Sequence, residues 1–234
     1  MHRFRFRPVQ ELLKLIFPSL CCHCGEPLVG DEKYLCTQCL VHIPWAKHAS
    51  YPNNDAELRL SGRIPFQAAA ALLLFRKGNV AQTIIHQIKY HGNTGMANQY
   101  GTMLGMELKQ SNRFNDIDYI VPVPLHRRRK RQRGYNQSEL ICEAVSKVFN
   151  RPVVSNNLYR KQFTTSQTHK NRQDRMDNMT NVFDVRHPEL FENKHILLID
   201  DIITTGATTE NCYQALSSIP DLRISIAALA VTTS

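Results

Sequence analysis

The sequence predicts an α/β protein, in which a mainly parallel sheet is flanked by helices and preceded by a small cysteine-rich module. Short apolar runs that fit buried strands alternate with longer segments of helical spacing, a pattern typical of parallel sheets covered by helices. Five of the seven cysteines fall between positions 21 and 39. The chain of 234 residues is long enough for one large core and one accessory module.

The first predicted unit, residues 1–45, joins an amphipathic N-terminal helix to a four-cysteine module. The two Cys-x2-Cys pairs have the spacing of a structural metal site, in which each pair forms a knuckle around a tight turn. Four unliganded thiols explain the pattern poorly, because so small a segment has no core of its own. The spacing predicts a structural zinc ion with no open coordination position, bound by Cys21, Cys24, Cys36 and Cys39.

The number and placement of the cysteines indicate a reducing compartment. Cys22 and His23 lie inside the first knuckle and are the alternative metal ligands. Cys142 and Cys212 stand alone in apolar surroundings and are predicted to be buried core residues. An odd number of cysteines clustered in this way is a poor disulfide framework. Because no stretch approaches the roughly 20 apolar residues of a membrane span, we expect a cytoplasmic protein without such a span.

Residues 46–64 are rich in turn-forming residues and are predicted to be a linker. The α/β domain is predicted over residues 65–234, with the polar stretch 160–182 as a loop or hood. Its predicted strands are 119–124, 195–200 and 223–232, and residues 66–75 form a further apolar run. Its predicted helices are 80–90, 95–108, 134–149 and 207–217.

The most specific pattern is HILLIDDIITTGATT, residues 195–209. Its first part is a continuous apolar run that predicts a strand buried on both faces. Asp200 and Asp201 follow this run, at the strand end where open α/β sheets bind ligands. Two adjacent carboxylates suit the vicinal hydroxyls of a ribose, directly or through a metal ion. The alternative, that these acids only cap the following helix, would account for one of the two aspartates but not for both.

A turn rich in threonine follows the two acids and opens a helix. Its glycine allows a close backbone approach to a ligand, and the free N–H groups at the start of the helix favour a phosphate. The threonine hydroxyls add further donors. The residues predicted to hold the phosphate are Thr204, Thr205, Gly206, Ala207 and Thr208.

The segment 127–133 is almost entirely cationic, and the chain as a whole carries a net charge of +9. Since like charges repel, the segment is predicted to be a loop. It is a solvated surface loop, a clamp on pyrophosphate, or a contact with a nucleic-acid backbone. The candidate ligand-binding cations are Arg127, Arg128, Arg129, Arg131 and Arg133, with Lys89 at the end of the helix 80–90.

Residues 195–209 resemble the phosphoribosyl pyrophosphate (PRPP) motif of type I phosphoribosyltransferases. In that family two acids bind the ribose hydroxyls and the loop binds the 5-phosphate, which implies these roles for Asp200, Asp201 and residues 204–208. The resemblance also implies Mg²⁺ together with PRPP. Thr204 stands where purine-salvage members carry an acid, which argues against a hypoxanthine-type enzyme and favours the orotate or amido type of loop.

The whole chain resembles the ComF family of competence proteins, which are related to GntX-type proteins. The shared pattern comprises the four-Cys module, Lys89–Gly92, Pro122–Arg129, Arg133–Gln137, the set Gln167, Thr168, Arg172, Arg175 and Asn178, and the loop 195–209. The resemblance implies binding of PRPP or ribose 5-phosphate, handling of single-stranded DNA during DNA uptake, and a helicase partner. It leaves open whether the chain transfers phosphoribose to an amine or base, or only senses PRPP.

Overall fold

A computed structural model describes residues 17–161 and 182–233. Its main strands are β1 (Ala69–Phe75), β2 (Tyr119–Pro122), β5 (His195–Ile203) and β6 (Arg223–Thr232). They form one parallel sheet in the order β1-β6-β5-β2. Two short strands, β3 (Leu158–Arg160) and β4 (Phe183–Val185), pair antiparallel as a separate small sheet. The predicted mainly parallel α/β fold is confirmed.

Helices cover both faces of the parallel sheet. The longer helices are α3 (Val80–Tyr90), α4 (Thr94–Gln110), α6 (Gln137–Phe149) and α7 (Ala207–Leu216), and the shorter ones are α1 (Thr37–Val41), α2 (Asp55–Leu60) and α5 (Arg127–Arg133). Leu197 and Ile199 of β5 pack with α3, α4 and α6, whereas Ile196 and Leu198 pack with α2 and α7. Since successive strand residues point to opposite faces, a strand buried on both sides is apolar throughout.

The basic segment forms a helix, α5, so the prediction of a loop was wrong. Arginine and lysine have high helix propensity. The backbone N–H of Arg128 donates to Nδ1 of His126, which caps the N-terminus at 3.1 Å. Gly134, with φ of 82°, ends the helix in the left-handed conformation. These local preferences outweigh the repulsion between neighbouring cations, which water screens at exposed positions.

The cysteine module packs against the main sheet. Cys21, Leu35 and Ile43 belong to the same hydrophobic cluster as the inner faces of α3 and α4. After the module, Leu74 donates its backbone N–H to the carbonyl of Pro44 at 2.8 Å, so this part of the chain covers the edge of β1. A covered edge strand cannot pair with another chain.

Residues 46–64, predicted to be a linker, contain helix α2 and contribute to the core. Asn54 caps α2 by accepting from the backbone N–H groups of Ala56 and Glu57, and Leu60 is fully buried. The apolar spacing of Ala56 and Leu60 was hidden in the sequence by the surrounding turn residues. The division into a module 1–45, a linker and a domain 65–234 stays a prediction.

Several sequence predictions lie outside the described residues. These are the N-terminal helix before residue 17, most of the stretch 160–182, and Gln167, Thr168, Arg172, Arg175 and Asn178. Within the described ranges, no helix is both long enough and apolar enough to cross a membrane. Cys142 and Cys212 are fully buried, which confirms their prediction as core residues.

Candidate functional site

The two acids lie on an open edge of strand β5. β2 pairs with β5 as far as Pro122, opposite Ile199, and the N–H of Val123 still donates to the carbonyl of Ile199 at 2.9 Å. Pro124 then follows, and it has no N–H to continue the ladder. β5 itself continues through Asp200 to Ile203, paired with β6 on its other side. Both acids thus lie within the strand, which the sequence predicted to end at Asp200. From Asp200 onward no strand of the described residues pairs with β5 on the side where β2 lies, and a cleft opens there.

The cleft has a volume of about 370 Å³ and lies at the carboxyl ends of the parallel strands. Of the residues predicted to bind ligand, its wall includes Lys89, Arg129, Arg133, Asp200, Asp201, Thr204 and Thr208. Arg127 instead lines a neighbouring cavity. Among the described cavities, none is lined by Arg128, Arg131, Thr205, Gly206 or Ala207. The structure therefore brings together both acids, three cations and two of the threonines.

Lys89 forms an ion pair with Asp201 in this cleft. The Nζ of Lys89 lies 2.9 Å from Oδ1 of Asp201, and the two side chains are only 18% and 11% exposed. Lys89 occupies the last turn of α3, whose packing against the sheet directs it over the end of β5. A partly buried pair of this kind is screened less by salt than a surface pair.

Asp200 has different surroundings from its neighbour. The Ser138 hydroxyl donates to its Oδ1 at 3.3 Å, and the backbone N–H of Asp201 donates to the same oxygen at 2.8 Å. Burial, followed by the negative charge of Asp201, raises the pKa of Asp200 to about 7. This carboxyl group can therefore gain or lose a proton near neutral pH, and a bound cation would favour the charged form.

The loop after β5 is shaped by a close backbone contact. Gly206 has φ of 81°, and a Cβ added there would lie 3.2 Å from the carbonyl oxygen of Arg59 and 3.1 Å from Cδ2 of Leu60. Gly206 thus packs against α2, whereas the sequence analysis expected it to approach a ligand. The loop still delivers Thr204 and Thr208 to the cleft.

Sequence reasoning assigned no ligand role to several residues that line the cleft. They include Ser138, Gln137, Tyr90 and Arg160. Gln137 is buried, and its Oε1 accepts from Arg133 at 2.9 Å. Its Nε2 has no hydrogen-bond partner among the described residues, although buried polar groups are almost always paired. The Arg-Gly-Tyr-Asn-Gln pattern at 133–137 was the available signal for Gln137, whereas Arg160 comes from the distant strand β3.

Arg133 is held in the cleft wall by an aromatic contact. Its guanidinium lies 4.9 Å from the centre of the Tyr90 ring, within the range of a cation–π interaction. Tyr135, the other aromatic residue near the basic helix, donates its hydroxyl to the backbone carbonyl of Ile88. That contact anchors the start of α6 to α3.

The four predicted cysteines form a compact cluster. Their sulfur atoms all lie within 4.8 Å of one another, and the sulfurs of Cys24 and Cys36 are 3.6 Å apart. A tetrahedral ion with metal–sulfur bonds of about 2.3 Å would separate its ligands by about 3.8 Å, so the cluster fits a metal ion. The Cys36 N–H donates to the sulfur of Cys21 at 3.3 Å. Backbone amides of Cys24, Cys36 and His23 outweigh the effect of burial and lower the pKa of Cys21 to about 6.

Cys22 and His23 are not part of the cluster. Nδ1 of His23 instead lies 2.9 Å from the hydroxyl of Thr83 in α3. Cys22 is half-buried and packs against the core. The prediction that Cys21, Cys24, Cys36 and Cys39 come together in one cluster is confirmed, and their spacing suits a metal ion.

The fold and the site together define a class of protein: a parallel α/β domain with a charged cleft at its strand ends and a four-cysteine module whose spacing suits a metal ion. No protein-family model matches the chain. The chain is 28% identical over 219 residues to the DNA utilization protein YhgH of Escherichia coli K12, which covers 86% of this chain and 92% of that protein. It is 26% identical over 140 residues to competence protein F of Haemophilus influenzae, covering 58% and 61%. These relatives confirm the resemblance to ComF-type competence proteins.

One solved structure similar to this chain is glutamine PRPP amidotransferase from B. subtilis. The match covers 61% of this chain and 30% of that chain, with a TM-score of 0.44 and 11% sequence identity.

Proposed function

We propose that this chain binds PRPP, or a related ribose 5-phosphate, with Mg²⁺ in the cleft beside β5, and that it acts in DNA uptake as a handler of single-stranded DNA. The observation that carries the proposal is the open edge of β5. There Asp200 and Asp201 lie next to the loop of residues 204–208, with Lys89, Arg129 and Arg133 around them. Carboxylates for the ribose hydroxyls and cations for a pyrophosphate are thus combined in one cleft.

Nε2 of Gln137, which has no hydrogen-bond partner among the described residues, supports a polar ligand in this cleft. A buried amide without a partner costs about 1–3 kcal/mol, and a phosphate or hydroxyl oxygen would supply the missing acceptor. The DNA role is supported by the similarity to a DNA utilization protein and to a competence protein. The helicase partner implied by the family resemblance stays an expectation.

Isothermal titration of the full chain with PRPP, with and without Mg²⁺, tests the binding proposal. We expect saturable binding to one site, strengthened by Mg²⁺, and weaker binding of ribose 5-phosphate because it lacks the pyrophosphate. A chain that binds neither compound would refute the proposed ligand.

A second candidate function is phosphoribosyl transfer to an amine or base. The titration of Asp200 near neutral pH favours it, because a carboxyl group with a pKa of about 7 suits proton transfer. The cleft cations would stabilise the developing charge of a pyrophosphate leaving group. Release of pyrophosphate from PRPP in the presence of candidate amines would support transfer. Tight PRPP binding without release would support a sensing role instead.

For the cysteine cluster we propose a structural zinc ion. Four thiolates and no open position are typical of structural zinc, and Cys21, Cys24, Cys36 and Cys39 supply them. The role of this zinc ion would be to hold the module folded. Reduced thiolates persist in a reducing compartment, which supports a cytoplasmic location.

A further inference from the structure

Helix α5 stands between the cleft and a second cavity. The second cavity has a volume of about 580 Å³ and lies between the end of β2, the start of α6 and the small β3–β4 sheet. The two cavities share lining residues at their common rim, among them Pro124, Asn136 and Arg160. An extended ligand can therefore contact both cavities.

The spacing of cations along α5 assigns them to different sides of the helix. Residues three or four positions apart share a helix face. Arg127 and Lys130 line the second cavity, whereas Arg129 and Arg133 line the cleft. Arg128 and Arg131 are exposed and line neither of these two cavities. Helix α5 thus contributes cations to the walls of two cavities rather than one.

The second cavity has an excess of positive charge. Lys130 is paired with Glu139 at 2.9 Å. Within residues 17–161 and 182–233, none of Arg127, Arg160 and Arg186 forms an ion pair. Burial, followed by the charge of Arg129, lowers the pKa of Arg160. An anion beside Arg160 would offset the repulsion between Arg160 and Arg129.

The three arginines come from three different elements. Arg127 begins α5, Arg160 ends β3, and Arg186 follows β4. The guanidinium of Arg186 lies 5.1 Å from the centre of the Tyr159 ring, which holds it against the cavity wall. Cations that converge from separate elements can contact several phosphates of one chain, and contacts with phosphates position a strand without selecting its sequence.

We propose that the second cavity binds the sugar-phosphate backbone of single-stranded DNA through Arg127, Arg160 and Arg186, while the cleft on the other side of α5 binds the ribose phosphate through Arg129 and Arg133. The inference rests on the proposed function and specifies where its two ligands lie. The shared rim brings a bound strand within reach of the ribose site. We limit the inference to a single strand, because its flexible backbone can follow the rim that the two cavities share.

The test compares three double variants of the full chain that each remove two positive charges. R127Q/R186Q changes the second cavity, R129Q/R133Q changes the cleft, and R128Q/R131Q is the matched exposed control. The affinity for a fluorescent oligothymidylate is measured by anisotropy across a series of KCl concentrations. PRPP affinity is measured by calorimetry, and circular dichroism checks the fold of each variant.

We expect R127Q/R186Q to weaken DNA binding selectively. Each phosphate contact contributes about 0.7 to the slope of log affinity against log salt for single strands. Losing two contacts should reduce the slope by about 1.4 and the affinity at 0.1 M salt by about 25-fold. PRPP affinity should stay unchanged. R129Q/R133Q should weaken PRPP binding and leave DNA affinity unchanged. R128Q/R131Q should resemble the wild type in both assays.

Several outcomes would overturn the inference. The first is a loss of DNA affinity in R127Q/R186Q no larger than that in the exposed control, and the second is a loss in R129Q/R133Q as large as that in R127Q/R186Q. The others are a wild type that does not bind the oligonucleotide, and a wild type that binds duplex DNA with equal affinity. Tighter binding of polyglutamate with the same dependence on Arg127 and Arg186 would assign the cavity to an acidic protein partner. If the DNA pattern holds but PRPP does not bind, the proposed ribose-phosphate function fails and the DNA site stands.

Discussion

At the scale of single residues, the two adjacent acids of β5 differ in how their charge is balanced. Asp201 has the ammonium group of Lys89 at 2.9 Å. Within the described part of the chain, Asp200 accepts hydrogen bonds from the Ser138 hydroxyl and from the backbone N–H of Asp201, and it forms no ion pair there. Burial, followed by the negative charge of Asp201, raises the pKa of Asp200 to about 7. Sequence analysis could identify the acids as a pair, but not this asymmetry, because Lys89 and Ser138 come from distant helices.

The titration of Asp200 predicts a pH dependence of Mg²⁺-dependent PRPP binding. Below pH 7 the carboxyl group holds a proton that it must release to bind a cation. Affinity should therefore rise by up to about tenfold per pH unit below 7 and level off above it. Calorimetry from pH 5.5 to 8.5 measures this profile. Asp200→Asn should remove the Asp200-dependent part of the slope, after correction for the titration of PRPP itself. An identical slope in that variant would mean that Asp200 is not the titrating group.

Replacement of both acids tests the assignment of the ribose site. Asp200→Ala with Asp201→Ala should weaken PRPP binding at least about a hundredfold, because each lost charge-assisted hydrogen bond contributes about 1.5–3 kcal/mol. Phosphate contacts should survive, so weak binding of ribose 5-phosphate should remain. Thr208→Val is the complementary variant, since it alters the phosphate side and keeps both acids. A folded double variant with wild-type PRPP affinity would contradict the assignment.

At the scale of elements, the sequence located the long regular segments well. The predicted helix 80–90 and strand 223–232 have the same bounds as α3 and β6, because helical spacing and a continuous apolar run are strong local signals. The extension of β5 beyond Asp200 depends on pairing with β6, which is not local. The short strands β3 and β4 are separated by a long polar stretch, so no local pattern indicated their pairing.

Two glycines with the same backbone conformation should respond differently to substitution. Gly134 and Gly206 have φ of 82° and 81°. A Cβ at Gly134 meets nothing within 4 Å, whereas at Gly206 it would press on Arg59 and Leu60 of α2. Gly134→Ala should cost about 1–2 kcal/mol from the left-handed conformation alone. Gly206→Ala should cost more, because α2 must also move. Urea unfolding measures both, and a smaller effect at Gly206 would contradict the close packing of α2 on the loop.

At the scale of the whole molecule, the cysteine module and the cleft beside β5 are connected through α3. The module shares the hydrophobic cluster of α3, and His23 in the first knuckle lies 2.9 Å from Thr83 of the same helix. The other end of α3 carries Lys89, which pairs with Asp201 in the cleft. Local sequence patterns predicted the module and the cleft separately. They could not predict this connection, because it depends on how the module packs on the sheet.

Loss of the metal should therefore affect the domain as well as the module. Cys36→Ser removes one of the four sulfurs of the cluster, whereas Cys22→Ser is a matched control outside it. Purified wild type and Cys22→Ser should contain about one zinc per chain, and Cys36→Ser much less. Even a metal contribution of about 2 kcal/mol would make the Tm of Cys36→Ser roughly 4–8 °C lower in a chain of this size. In Cys36→Ser, hydrogen exchange should become faster in residues 18–45 and also in α3, because the two share one cluster. If exchange becomes faster only in the module, α3 holds Lys89 in place without support from the module. Loss of zinc in Cys22→Ser would show that the predicted set of metal ligands is wrong.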